Sequence, residues 1–264
     1  MKSVLKRGQV SVDGHIITQH NYSLKPGQLI GILSNEASKR LSALDGVNIL
    51  HEDESIIVIN KAPGLLSMAT NRSRASQLDA YQQLTDYVKK ENRNNRVYIV
   101  HRLDRDTSGV MVYAKTEEAK EKLQSNWYDM TKERTYTAVV DGSVSKNEET
   151  ITSWLKENDA YKVYSVPEGK GGKKAITHYK KIADNNMYSM LEVELETGRK
   201  NQIRVHMLDI GHPVVGDRKY SSNKSNPIRR LGLHATTLSF IHPATDEIVR
   251  YTVNIPKSFE KLVK

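Results

Sequence analysis

Between residues 188 and 196 the chain alternates strictly enough to restrict its fold class. Leu191, Val193 and Leu195 point one way, and Glu192, Glu194 and Glu196 the other. Successive side chains of a strand face opposite sides, so this segment is a strand with one buried and one wet face. Strands of a doubly wound parallel sheet are instead apolar on both faces. Further strand signals fall at Gly8 to Val12, at the apolar run 55–59 and at 135–140. Helical stripes fall at 77–90 (Leu78, Tyr81, Leu84, Val88), after an N-cap at Thr116 (Ala119, Leu123, Trp127), and at 199–210 (Ile203, Met207, Ile210), with Gly211 as a stop. Strands and helices follow one another without regular alternation, which predicts an α+β fold.

The 264 residues suffice for one large domain with a small appendage, without disulfide or metal staples. The absence of cysteine excludes disulfides, thiol nucleophiles and thiolate zinc sites. No secretory leader and no long apolar run is visible, so cytoplasmic residence is the default expectation, and a monomer the default state. Forty Lys and Arg against 31 Asp and Glu give a formal charge of +9, which suits a polyanionic partner.

Residues 4–33 form a unit of their own, with a hairpin turn expected at Asp13-Gly14 and a second turn at Lys25-Pro26-Gly27. Residues 34–47 look like a linker, and 48–264 like the main domain.

The chemistry concentrates in His101-Arg102-Leu103-Asp104-Arg105-Asp106-Thr107-Ser108-Gly109, a polar loop leading into the strand Val110 to Ala114. Functional residues gather on such loops, although Asp and Thr could equally be capping a turn. Asp104 and Asp106 both offer a carboxylate, and a metal-dependent nuclease built on the pair is one alternative. The segment also echoes the His-Arg-x-Asp of protein kinases, but no glycine-rich loop or Asp-Phe-Gly accompanies it.

This loop resembles the signature of the RluA-type RNA pseudouridine synthases. Other blocks resemble that family in the same order: 51–64, Arg134-Thr135-Tyr136, the Gly172-Lys173-Lys174-Ala175-Ile176-Thr177 loop, Thr197 to His206, Gly211-His212-Pro213 with Gly216-Asp217, and Leu233-His234-Ala235 with His242-Pro243. The family usually has His where this chain has Asn201, so an altered RNA contact is expected there. The resemblance implies a mixed, largely antiparallel central sheet flanked by helices and loops. It implies isomerisation of uridine in RNA, with large-subunit ribosomal RNA as the expected substrate and transfer RNA as the alternative, and no cofactor or metal. It also implies three catalytic residues: Asp104 as the essential carboxylate, Arg204 as its partner and Tyr136 against the target base. Arg102 is expected to fill the space vacated by the extruded base. Arg105, Lys173, Lys174, Arg199, Lys200 and Asn201 are expected at the RNA, with the basic run 170–174 as a mobile loop. His101 and His206 read as structural residues. Residues 5–30 resemble the second half of a small alpha-L RNA-binding motif whose first helix is missing. A non-catalytic RNA-binding or ribosome-assembly protein on the same fold is the competing reading.

Overall fold

A computed structural model describes residues 2–12, 15–34, 36, 38, 41, 44–69, 79–223 and 225–264. The expected turn at Asp13-Gly14, and Leu78 of the first helical stripe, lie outside these residues. The chain divides into two compact units, neither continuous in sequence. One comprises Met1–Leu103, Val110–Trp127 and Pro243–Asp246, the other Asp104–Gly109, Tyr128–His242 and Glu247–Lys264.

In the first unit a short helix, α1 (Lys2–Lys6), precedes a three-stranded antiparallel sheet of β1 (Val10–Val12), β2 (His15–Ile17) and β3 (Ile30–Ile32), with β1 in the middle. A second set follows: β4 (Val47–Glu52), β5 (Ile56–Lys61) and β6 (Tyr98–Ile99), together with residues 110–114 of β7 (Ser108–Ala114). Ile56 to Ile59 and Val110 to Ala114 are buried without alternation, as central strands covered on both faces must be. The helix α2 (Ala80–Lys89) starts later than the expected residue 77, because Asp79 caps it by accepting from the Gln82 N–H at 2.7 Å. Thr116 caps α3 (Glu117–Ser125) as expected, and Ala119 and Leu123 are buried. Trp127 falls beyond that helix and opens a separate single turn, α4 (Trp127–Met130).

The second unit is built on a large sheet. Its strands are β8 (Thr131–Asp141), β9 (Glu148–Glu157), β10 (Val163–Val166), β11 (Lys173–Asp184), β12 (Tyr188–Leu195) and β13 (Leu233–Ile241). They lie in the order β10-β9-β11-β12-β8-β13, antiparallel throughout. Strand β14 (Ile248–Thr252) pairs antiparallel with β13, and Ser108 and Gly109 pair parallel with His234 and Ala235, which makes the sheet mixed. The alternation in β12 is realised: Leu191 and Val193 are fully buried while Glu192 and Glu194 are exposed. The buried face packs with Ala138, Val140, Ile203, Met207 and Val214 in one cluster. Burial of each Val, Leu, Ile or Met side chain in this cluster contributes roughly 1.5–3 kcal/mol.

Helix α5 (Gln202–Asp209) lays Ile203 and Met207 into this core and Val205 into another cluster with Leu155, Val163, Ala175 and Tyr220, and α6 (Lys257–Leu262) closes a further cluster with Phe259. The fold is therefore α+β, with a mixed and largely antiparallel sheet. Lys173 and Lys174, expected in a loop, are the first residues of β11 and pair with Leu155 and Trp154. A side chain at Gly172 would meet Trp154 Cβ at 2.8 Å, so the glycine is what lets the chain enter the sheet there.

Candidate active site

The loop residues of the second unit begin at Asp104, whose carbonyl accepts from the Thr107 N–H at 3.1 Å to close a tight turn. Gly109 then enters β7 with φ +119, and a Cβ there would lie 2.1 Å from the Ala235 carbonyl oxygen. Only glycine permits the parallel pairing of Gly109 with Ala235 that anchors the end of this turn. In the first unit, the backbone of Leu103 is pinned by Ser67, whose hydroxyl donates to the Leu103 carbonyl at 2.8 Å and accepts from its N–H at 3.2 Å.

The opposing wall is the segment from Thr197 into α5. Gln202 shapes it: its carbonyl oxygen accepts from the Thr197 hydroxyl (2.8 Å) and the Arg199 N–H (2.9 Å), and its amide donates to the Ile176 carbonyl and the Thr177 hydroxyl. Arg134 braces the preceding residues by donating to the Leu195 and Glu196 carbonyls at 3.0 and 2.8 Å. Residues 199–201, expected in the helix, instead form the turn before it, because Asn201 sits at φ +56 in the left-handed region.

Two side chains from this wall reach Asp104. Asn201 Nδ2 donates to Oδ2 at 2.6 Å, and Arg204 Nη1 lies 3.4 Å from the same oxygen. The Asp104 side chain keeps 26% of its exposure, so it is held but reachable.

Arg204 spends most of its fork elsewhere. Nε and Nη2 each donate at 2.7 Å to the two oxygens of Asp217, whose side chain is fully buried. Asp217 Oδ1 also accepts from the N–H groups of Lys219 and Tyr220. The Arg204 guanidinium lies 5.0 Å from the centre of the Tyr220 ring. Burial alone would lower the Arg204 pKa, but the hydrogen bonds and charge of Asp217, helped by Asp104, raise it, so the group is firmly cationic. Neither Asp217 nor Tyr220 stood out in the sequence, although Gly216-Asp217 was part of the recurring blocks.

Tyr136 lies on β8, half-buried against the core that includes Val193 and Ile203. Its pKa is raised chiefly by burial, against the lowering effect of Arg134 and with a further rise from Asp104. The phenol is therefore neutral, within electrostatic reach of the carboxylate.

Of the residues expected at RNA, Arg102, Arg105, Lys173 and Lys174 are exposed. Arg199 Nε donates to the Lys174 carbonyl at 3.0 Å. Lys200 pairs with Glu157 and lies 5.5 Å over the Tyr161 ring. Lys219, not foreseen, donates to the Tyr161 carbonyl at 2.6 Å. Its pKa is lowered by burial and by the charges of Lys200 and Arg204, partly offset by Glu157 and Asp104. Asn201 is turned to Asp104. A groove in the same unit is lined by Glu148, Glu149, Glu192 and Glu194 against a single Lys180, a net negative charge that repels a polyanion.

Both histidines have structural surroundings. His206 is fully buried between the Thr177 hydroxyl (Nδ1, 2.8 Å) and the Ser153 hydroxyl (Nε2, 2.9 Å), and burial brings its pKa down to about 4. His101 accepts from the Val112 N–H at 3.1 Å and stacks on Trp127 with ring centres 4.6 Å apart.

Residues 55–209, more than half of the chain, match the family model described as RNA pseudouridylate synthase. The chain is 36% identical to an uncharacterised RNA pseudouridine synthase of Synechocystis, over 99% of this chain and 82% of that one. It is 33% identical to the ribosomal large subunit pseudouridine synthase D of Pseudomonas aeruginosa, over 97% and 83% respectively. Among solved structures it is similar to human RNA Pseudouridylate Synthase Domain Containing 4, with a TM-score of 0.65, 25% identity, and coverage of 80% of this chain and 90% of that one.

Proposed function

Because the chain belongs to the RNA pseudouridylate synthase family, and is an enzyme that isomerises uridine in RNA to pseudouridine, we propose that Asp104 is its catalytic carboxylate and large-subunit ribosomal RNA its substrate. The observation that carries the first part is the grip on Asp104: one carboxylate oxygen faces both Asn201 and Arg204 while the side chain stays reachable. The name borne by the Pseudomonas relative supports the second part.

The reaction is balanced within the nucleoside. The bond from N1 of uracil to C1′ of ribose breaks, the base turns over, and a bond forms between C5 and C1′. The C5 proton leaves for water and N1 ends with a proton of its own. An anchored, ionised carboxylate beside the sugar and base supplies the nucleophile or base that this exchange requires. Tyr136 lies against the base in this reading, and its neutral hydroxyl relays the C5 proton, passing its own proton on to water as it takes the one from C5. Arg204 is held by Asp217 so firmly that its remaining nitrogen presents a fixed positive charge to Asp104.

A base within folded RNA must leave its stack first, at a cost of a few kcal/mol. Arg102, exposed two residues before Asp104, fills the gap in this scheme. Arg105, Lys173, Lys174, Arg199 and Lys200 hold the backbone. Residues 1–33, whose three short strands form the separate sheet, act as a partial alpha-L RNA-binding module ahead of a linker at 34–47 and a catalytic region from 48 to 264.

The test is pseudouridine mapping by carbodiimide treatment and primer extension, in cells with and without the enzyme. A stop in large-subunit ribosomal RNA that disappears with the enzyme and returns with wild type, but not with Asp104→Ala, is the expected result. A stop lost from transfer RNA instead would reassign the substrate.

A further inference from the structure

We infer that Asn201 and Tyr220 form a positioning relay for Asp104, so that Asn201 acts on the carboxylate and Tyr220 acts through Asn201. The inference rests on the reading of Asp104 as the catalytic carboxylate.

Asn201 occupies the N-cap position of α5, where an Asn side chain ordinarily accepts from a backbone N–H of the first helical turn. It makes no such bond. Its backbone is instead in the left-handed conformation, φ +56, which turns the side chain away from the helix. A local rule broken at a buried position signals that another demand has won.

That demand is visible in the two ends of the amide. Nδ2 donates to Asp104 Oδ2 at 2.6 Å, and Oδ1 accepts from the Tyr220 hydroxyl at 3.0 Å. The Tyr220 hydroxyl itself accepts from the Val163 N–H at 3.1 Å. Its single proton therefore goes to Asn201, and the amide oxygen must face Tyr220. This leaves only the NH2 group for the carboxylate. The orientation of the amide follows from the donor and acceptor inventory of the chain Val163, Tyr220, Asn201, Asp104.

The relay and the Arg204 contact converge on the same carboxylate oxygen. Together they leave Oδ1 of Asp104 as the oxygen free of both Asn201 and Arg204, and it is this oxygen that the relay aims. Both Asn201 and Tyr220 are buried, 8% and 5% exposed, so an RNA strand lying on the surface would meet neither side chain broadly.

The experiment measures tritium released from [5-3H]uridine-labelled total RNA taken from cells lacking the enzyme. Single-turnover rates are taken over a range of enzyme concentrations, giving a maximal rate and a half-saturating concentration. Asn201→Asp keeps the shape and tolerates the left-handed backbone, but replaces the donor with a second carboxylate. It is expected to lower the maximal rate by about 100-fold or more. Asn201→Gly keeps the backbone and removes the amide, with a maximal rate down about 10–100-fold and half-saturation within about threefold of wild type. Tyr220→Phe keeps the ring under Arg204 and is expected to cost about fivefold to tenfold alone. In the Asn201→Gly background it is expected to cost less than about twofold, because its effect passes through the missing amide.

An Asn201→Gly enzyme with a normal maximal rate and raised half-saturation would make Asn201 an RNA contact and overturn the relay. So would a Tyr220→Phe effect of equal size in both backgrounds. Asp104→Asn is run alongside: if it is inactive while the Asn201 variants are normal, only the relay fails, and if it turns over at the wild-type rate, the parent reading fails with it.

Discussion

Arg204 grips Asp217 with two of its nitrogens at 2.7 Å each and has one left for Asp104, at 3.4 Å. The residue that fixes the arginine is therefore different from the one the arginine serves. A buried ion pair of this kind adds little net stability compared with an apolar pair, but breaking it strands a charge. Asp217→Asn is expected to lower the unfolding free energy by about 3–5 kcal/mol and to depress turnover even in the fraction that remains folded. Urea unfolding together with single-turnover rates checks both. Arg204→Lys, which keeps the charge but not the fork, is expected to be almost as damaging.

His206 links β9 and β11 as a neutral ring, and its pKa is brought down to about 4 by burial. In the unfolded chain a histidine titrates near its ordinary value of about 6.5. Below that pH the unfolded state takes up a proton that the native state refuses, so stability is full above about 6.5 and declines until about 4. His234 is also lowered to about 4, by burial and by the charge of Arg230. Each is expected to cost roughly 2–3 kcal/mol across this window. Denaturant unfolding at pH 7 and pH 4.5 measures the loss, and His206→Gln should remove about half of it.

Gly109→Ala tests the close approach at the start of β7. The new methyl would sit against the Ala235 carbonyl on a backbone that an alanine rarely adopts. Strain and overpacking together predict a loss of about 3 kcal/mol or more. A melting temperature unchanged from wild type would contradict the pairing.

Tyr136→Phe retains the ring in the core and removes the hydroxyl. If the phenol moves the C5 proton, turnover falls by about 100-fold or more while RNA affinity is kept. Filter binding beside tritium release separates the two.

Lys173→Ala with Lys174→Ala removes two exposed cations from the start of β11. If both face phosphates, the slope of log affinity against log salt falls by about 1.4, at ~0.7 per phosphate for single-stranded RNA. The maximal rate is expected to stay within about twofold. An unchanged salt slope would place the RNA elsewhere.

The parts of this protein that were legible in its sequence share a property: their information is local. The alternation of β12 needs only the two faces of a strand, and the nine residues around Asp104 carry their chemistry contiguously. Thr116 announces a cap because the bond it makes spans three residues. Arg204 with Asp217 is different. The pair is separated by 13 positions, across the end of one helix and a turn, and nothing in the composition of either segment specifies the other. Strand β11 was hidden because its first residues, Lys173-Lys174, follow Gly172 and have loop chemistry, and the sheet overrides it. The late start of α5 was missed because Asn201 abandons its cap for Asp104, a tertiary demand that helix periodicity does not register. The expectation of an RNA contact at Asn201 came from a departure in the motif, and the structure shows the amide turned inward.

The most direct measurement is tritium release from [5-3H]uridine-labelled RNA by purified wild type and by Asp104→Asn, with RNA binding followed in parallel. Release by the wild type, none by the variant, and equal binding by both is the predicted result. Release by the variant at the wild-type rate would remove Asp104 from the chemistry.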